Sequence, residues 1–319
     1  MEFPNILREK IEKKTDRLSV SSMKGMVQSM TMRYKCQGRT GKSLINTDEE
    51  ATVYAAVRMP ATFGAVSAAL SYTLELWDGQ INSVIDAGAG TGAASWAFAG
   101  LTEASEYTCI ECEPVMRKLG KELMADSEYQ LSSAVWKPGN IVKEPVEDKA
   151  DAVVASYVLN ELEEKDIDAA AVKLWNAASK LLLIVEPGTP AGFSVIRRIR
   201  QKLLELGANI VSPCVCDECG MADDDWCHFT CRVARSRLHK LLKGGDVPYE
   251  DEKFSYIAFV REKTTDVSDR VRILRHPEIQ KGYIELQVCT DKGVRDIKVT
   301  RKDGERFKCA RKSACGDIL

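Results

Sequence analysis

The 319-residue chain contains no run of about 18 apolar residues free of charge, so the sequence offers no transmembrane helix. Its opening, Met1–Arg8, lacks the apolar core of a secretory signal and the Arg/Ser-rich, acid-poor character of a transit peptide. These absences point to the cytoplasm; a mitochondrial location would require a leader that the sequence as written lacks. No internal repeat or low-complexity tract is present. That leaves one α/β domain of roughly 200 residues with one or two smaller modules. A nucleotide-binding P-loop is also missing. Residues Gln37–Ser43 read Gln-Gly-Arg-Thr-Gly-Lys-Ser, but the pattern needs glycine five positions before Gly41, where Cys36 stands, and no strand precedes it.

Net charge is only −2, yet its distribution is uneven. Residues 1–42 carry +6 and residues 268–319 carry +5, which leaves −13 for the middle. Basic ends on an acidic body suit contact with a polyanion, and the plainer account is two solvated faces. Cysteine is abundant, with eleven in the chain, five of them between Cys214 and Cys231. Without a secretory signal, that favours metal or redox chemistry over disulfides.

The pattern along the chain predicts basic helices over residues 1–45, then a helix over 47–78 capped by Thr47 or Asp48, with Pro60 kinking or dividing it. From Ser83 to Leu206 short apolar strands alternate with helices, and Lys253–Arg261 adds a further strand. Such alternation implies a parallel sheet covered on both faces. Val271–Leu274, Gly282–Cys289, Val294–Thr300 and Arg306–Cys309 read as short strands joined by Asp-Lys-Gly and Lys-Asp-Gly turns. The expected organisation is a helical region at 1–78, a Rossmann-like domain at 79–206 plus 250–263, a cysteine-rich insertion at 207–249 and a basic antiparallel β module at 268–319.

Val84–Ala93 carries the sharpest signal. Asp86-Ala-Gly-Ala-Gly-Thr-Gly92 follows a strand and opens a helix, so its backbone admits a ligand beside unpaired helical N–H groups. Asp-x-Gly-x-Gly-x-Gly looks like the first motif of class I S-adenosylmethionine (SAM) methyltransferases more than a dinucleotide fingerprint. The expected cofactor contacts are Asp86, Gly88, Gly90 and Gly92, then Glu111 at the end of the next strand for the ribose, with Glu113 as fallback. Asn140 is placed at the adenine edge. The Asn-Pro-Pro-Tyr sequence of some amino-methylating enzymes is absent. Asn160 and Glu161 stand in that region, either to meet a substrate or to cap a helix, and no catalytic residue is assigned.

Cys214, Cys216, Cys219, Cys227 and Cys231 fall within 18 residues, too close together for packing alone to explain. Zinc and a [4Fe–4S] cluster both accept four thiolates, and spacing does not choose between them. His228 is either a ligand or a packing residue.

Arg58-Met-Pro-Ala-Thr62, the Asp86 loop, Val154–Leu162, Glu186-Pro-Gly-Thr189, Asp225-Trp-Cys-His-Phe229, Glu252-Lys-Phe-Ser-Tyr256 and Ala310-Arg-Lys312 occur in that order. Taken together, the chain resembles the methyltransferase-like proteins of the small ribosomal subunit, the Rsm22 family of bacteria and mitochondria. The resemblance implies SAM binding, a four-cysteine [4Fe–4S] site with zinc as the alternative, and action on the small subunit and its rRNA in assembly or translation. It assigns the ligands to Cys214, Cys219, Cys227 and Cys289. This sequence departs from the family's Cys-Pro-His with Cys-Val-Cys, so Cys216 rivals Cys214. A monomer without membrane contact is expected. The alternatives are an active rRNA methyltransferase with a defined target base and a catalytically silent, redox-sensing RNA-binding protein.

Overall fold

A computed structural model describes residues 2–37, 44–146, 148–215, 218–262 and 270–319. The loop singled out at 38–43 and the rival ligand Cys216 lie outside the described residues.

Three helices come first: α1 (Asn5–Thr15), α2 (Val20–Gln37) and α3 (Asp48–Leu74). Thr47 caps α3 by accepting a hydrogen bond from Glu50 N at 3.1 Å, and Asp48, Glu49 and Glu50 place negative charge at the positive end of the helix dipole. Contrary to the expected division, α3 runs unbroken through Pro60. Proline removes one backbone bond, and Val57, Met59, Pro60, Ala61 and Phe63 are all buried, so packing on both sides outweighs that loss. By length and composition α3 is apolar enough to cross a membrane, but 67% of its apolar window is buried inside this fold.

The following elements are β1 (Ser83–Ala87), α4 (Ala93–Ala99), β2 (Glu106–Glu111), α5 (Pro114–Met124), β3 (Val135–Pro138), β4 (Ala150–Ser156), α6 (Glu164–Ala177), β5 (Ala178–Pro187) and α7 (Pro190–Glu205). Next come β6 (Asn209–Ser212), β7 (Phe229–Ala234), α8 (Arg237–Lys243) and β8 (Tyr249–Val260). The main sheet has the order β3-β2-β1-β4-β5-β8-β6, with β7 also paired to β8. Strands β3 to β5 are mutually parallel. The parallel sheet expected from the alternation is present in these five strands, and β8 adds an antiparallel strand beside β5, β6 and β7. Order and reversal together make this the class I methyltransferase fold.

Alternate side chains of the central strands feed two cores. Leu181, Leu183 and Val185 of β5 face α3, α4 and α5, whereas Leu182 and Ile184 face α6 and α7. Strands β6 and β7 pair with successive stretches of the same β8 edge, Val260–Ala258 and Phe254–Tyr249. The cysteine loop between them therefore projects from the sheet's edge.

The second sheet contains β9 (Arg272–Ile273), β10 (Glu278–Gln280), β11 (Tyr283–Thr290) and β12 (Gly293–Thr300), followed by α9 (Glu305–Lys312). Residues Arg306–Cys309, expected as a strand, are helical. Thr300 and Asp303 close a capping box, Glu305 pairs with Lys308 at 2.6 Å, and Phe307 and Ala310, three apart, both reach the small core of Ile284, Leu286, Val288 and Val299. Arg272 joins the two sheets: it is fully buried, its Nη2 donates to Ser212 Oγ at 3.2 Å, its Nη1 donates to Gly316 O at 2.5 Å, and it stands over the Tyr72 ring at 5.7 Å.

Candidate cofactor pocket and cysteine site

A cavity of about 460 Å³ opens at the C-terminal ends of β1, β2 and β4, where the strand order reverses and open α/β sheets bind ligands. Gly88 and Gly90 line it, with φ of 74° and 56°. This left-handed backbone suits glycine, and a Cβ on Gly88 would stand 2.6 Å from Val158 Cγ2. Gly92, φ 88°, lies behind this wall as the N-cap of α4.

Glu111 and Asn140 both reach the cavity. Glu111 is buried; its Oε2 accepts from Gly90 N at 2.7 Å and its Oε1 from Glu113 N at 2.8 Å, so it ties the glycine loop to the start of α5. Asn140 Oδ1 accepts from Val142 N at 2.9 Å. Glu113, the fallback, also lines the cavity and accepts from Leu44 N at 3.0 Å. Asp86 is absent from the lining. It is buried beneath the loop, where its Oδ2 accepts from Ser95 N and Ser95 Oγ at 3.0 and 2.8 Å, and burial raises its carboxyl to about 6. It shapes the loop from behind. Cys109 is buried against Ser95, whereas Cys112 is exposed and lines the cavity.

Sequence reasoning missed the opposite wall. Tyr34 of α2 and Tyr54 of α3 stack at 6.4 Å and line the cavity with Leu44, Ile45 and Met59. Tyr157 sits just past β4 with φ 57°, a strained value for a non-glycine residue. Its hydroxyl donates to Glu252 Oε1 at 2.9 Å, and Arg58 Nη2 meets the same oxygen at 3.4 Å.

Glu161 reaches the cavity from a 3-10 turn, Leu159–Glu161. Burial, then Glu111 and Glu113, push its carboxyl up to about 8. Asn160 does not line the cavity, and its buried Oδ1 has no partner. Glu186 holds the turn from below. Its Oε1 accepts from Leu159 N at 2.9 Å, and complete burial raises its carboxyl to about 8. A raised carboxyl favours folding below its unfolded value and loses that contribution as pH rises to the folded value. Glu186→Gln keeps the shape without the titrating proton. Between about pH 5 and about pH 8 the variant should gain on the wild type by on the order of 2–4 kcal/mol in urea unfolding. Parallel pH profiles would refute the assignment.

The cysteine loop packs between the two sheets. Trp226 Nε1 donates to Gly188 O at 3.0 Å, and Arg275 Nη2 donates to Asp225 Oδ1 and to Trp226 O at 2.7 and 3.1 Å. Burial and the neighbouring Cys214, Cys219 and Cys315 thiols push the Cys227 thiol well up. A Cβ on Gly220 would stand 2.9 Å from both Gly293 Cα and Val294 N, and Val294 pairs with Cys289 across the β11–β12 hairpin. The loop after Cys219 thus abuts the hairpin end that carries Cys289. Among the described residues, no three His, Cys, Asp or Glu side chains stand in metal-holding positions. The His228 ring contacts Trp226 O at 3.1 Å and stacks on Trp226 at 5.3 Å, as a packing residue would.

The expected cationic surfaces are partly consumed within the molecule. Lys10 pairs with Asp126, Lys14 with Glu122 and Arg33 with Glu50. On α7, Arg197 and Arg198 pair with Asp223 and Asp168, and Arg200 is buried. On α9, Lys308 pairs with Glu305, whereas Arg306, Arg311 and Lys312 are exposed.

Similarity to known proteins agrees with the family read from the motifs. Residues 48–319 match the family model described as mitochondrial small ribosomal subunit Rsm22. The human ribosome assembly protein METTL17, mitochondrial, is 25% identical over 299 residues, covering 87% of this chain and 64% of that protein. The Rsm22-cox11 tandem protein 2, mitochondrial, of Schizosaccharomyces pombe is 22% identical over 328 residues, covering 86% of this chain and 43% of that protein. The chain thus spans less than two thirds of either relative. Magnesium protoporphyrin IX methyltransferase from Synechocystis PCC 6803, solved with bound SAM, is 14% identical with a TM-score of 0.43, covering 75% of this chain and 97% of that one. The strand order, rather than this likeness, carries the fold. The cytoplasmic placement expected from the sequence is overturned, because the family model and both relatives are named as mitochondrial. With 272 consecutive positions matched, from 48 to 319, the chain belongs to the Rsm22 family of small ribosomal subunit proteins.

Proposed function

We propose that this chain is a SAM-binding, [4Fe–4S]-bearing factor that acts on the small ribosomal subunit and its rRNA in assembly or translation. The observation that carries the cofactor reading is the 460 Å³ cavity at the strand ends, walled by Gly88, Gly90, Glu111 and Asn140. Glu111 takes the ribose hydroxyls, Asn140 takes the adenine edge, and the two glycines let the ligand approach backbone. Asp86 and Gly92 support the loop rather than touch the ligand. Bound SAM supplies an activated methyl group on a sulfonium.

Cys214, Cys219, Cys227 and Cys289 would hold the cluster, with Cys216 the rival for Cys214. Four thiols are suitable donors for a cluster or for zinc, and the family pattern favours the cluster. Support comes from the proximity of Cys214 and Cys219 to Cys227 and from the contact of Gly220 with the Cys289 hairpin. A ligand from Cys289 would make metal binding part of the docking energy of the second sheet.

The exposed cations of α9 offer a phosphate-binding face on a monomer without membrane contact. The test is co-sedimentation of the anaerobically purified chain with small subunits across a salt series, with iron, sulfide and zinc analysis. About three phosphate contacts predict a loss of roughly 40-fold in affinity between about 50 and 200 mM salt, and about four iron per chain are expected. Salt-insensitive binding would contradict the phosphate contacts; one tight zinc would reduce the cysteine site to a structural clip. Methyl transfer to a defined rRNA base is the second reading, favoured because the Ser156–Leu162 strand end opens into the same cavity. Labelled-methyl incorporation into subunit particles tests it.

A further inference from the structure

The wall of the cavity that carries Asn140 is a thin partition. Gly139, Asn140 and Ile141 line the 460 Å³ cavity and also a second hollow of about 270 Å³. With space on both sides, the buried Ile141 side chain and the hydrogen bonds at its two ends hold this segment in place. It is a single helical turn, closed by Glu144 N donating to Asn140 O at 2.9 Å. Asn140 caps the start of the turn, its Oδ1 accepting from Val142 N at 2.9 Å and from Lys143 N at 3.3 Å. Lys173, on α6, caps the end. Its Nζ donates to Val142 O at 2.6 Å and to Glu144 O at 3.2 Å, and stands 3.4 Å from Ile141 O. The three protons of the ammonium thus meet three carbonyls, and among the described residues Lys173 pairs with no carboxylate. Its charge is committed to this turn.

The cap also decides which end of the Asn140 amide is free for a ligand. Two backbone N–H groups take its oxygen, and that fixes the orientation of the amide. Nδ2 is the end left over, and it makes no hydrogen bond among the described residues. We propose that Asn140 acts as a hydrogen-bond donor in the cavity and that Lys173 is the positioning residue that holds it there. This deepens the cofactor reading above and rests on it. The ligand edge that complements such a donor is an acceptor. The adenine of SAM is therefore met at a ring nitrogen and not at its exocyclic amine. An edge without that acceptor leaves Nδ2 unpaired in a partly closed site, and a site built to donate a hydrogen bond rejects such a ligand. Lys173 touches no ligand; it acts through the turn that carries Asn140.

The test is isothermal titration of the full chain with S-adenosylhomocysteine, the demethylated form of SAM, and with three analogues in which one adenine ring nitrogen, N1, N3 or N7, is replaced by C–H. Wild type should bind one of the three at least about tenfold more weakly than the parent, because the donor loses its acceptor. Asn140→Asp keeps an oxygen at the cap, where Asp serves as well as Asn, and removes the donor. Its urea midpoint should match that of the wild type, its affinity for the parent should fall about tenfold, and the penalty on the sensitive analogue should vanish. Lys173→Met should reproduce both binding effects, and adding Asn140→Asp to it should weaken binding by less than about threefold more. Equal binding of the parent and all three analogues by the wild type overturns the proposal. So does unchanged parent binding in Lys173→Met, or a double variant in which the two losses multiply. The wild-type series and Asn140→Asp keep the proposal testable if Lys173→Met misfolds. Each of these results leaves the cofactor reading intact, since the wild type still binds the parent. Failure of the wild type to bind either SAM or S-adenosylhomocysteine overturns both.

Discussion

Gly88→Val is expected to abolish SAM binding, lowering affinity by at least about 100-fold, while the fold survives with a loss of about 2–4 kcal/mol. The cause is local. At φ 74° a β-branched residue is strained, and the new Cβ meets Val158 at 2.6 Å. Left-handed backbone costs about 1–2 kcal/mol for a residue with a side chain, and overpacking adds a similar amount. Relief is available only by moving the Tyr157–Glu161 segment or the glycine loop, and both are cavity walls. Gly88 N also donates to Ile110 O at 2.9 Å, so displacement of the loop uncouples it from β2 and from Glu111. Urea unfolding and ligand titration of the same preparation separate the two effects. A folded variant that binds SAM normally would mean that the ligand does not approach this loop.

Arg272→Ala should cost about 3–5 kcal/mol and should release the second sheet before the main sheet unfolds. The guanidinium lies at the junction of β9, β6 and the C-terminal turn. Its removal leaves Gly316 O without that donor and opens a cavity beside Tyr72, whose hydroxyl donates to Cys315 O at 3.2 Å. Ser212 Oγ keeps its 2.7 Å contact with Tyr256 and is not orphaned, which limits the loss. Limited proteolysis provides the readout: cleavage should appear first within residues 270–319. Arg272→Lys should recover only part of the stability, because one ammonium cannot span the two acceptors and the ring as a planar fork does. Unaltered protease resistance in Arg272→Ala would show that other contacts dock the sheet.

Much of this architecture was legible because local chemistry dictates it. The glycine loop between β1 and α4, Glu111 at the end of β2 and the alternation that builds the parallel strands are all nearest-neighbour signals, and the structure places them as read. The quoted family segments turn out to interlock. Arg58 and Tyr157 share Glu252, Glu186 holds the turn at Leu159, Trp226 bonds Gly188, and Ala310 packs under β11. Their separation along the chain, 194 residues between Arg58 and Glu252, hides this from any local pattern.

What could not be read has a similar cause. Nothing in the sequence of α2 marks Tyr34 as a cavity wall, since it reaches the site only after α2 packs over the strand ends. The reversal of β8 leaves no mark, because a strand buried on both faces reads the same in either direction. Pro60 and Arg306–Cys309 were misread because burial and capping outweighed local propensity there.

The most direct test of the central claim is equilibrium dialysis of labelled SAM against the purified full chain. One saturable equivalent per chain, lost in Gly88→Val, is the result that follows from a methyl-donor pocket at the ends of β1, β2 and β4. A folded chain with no saturable uptake would contradict it and leave this a methyltransferase fold without its ligand.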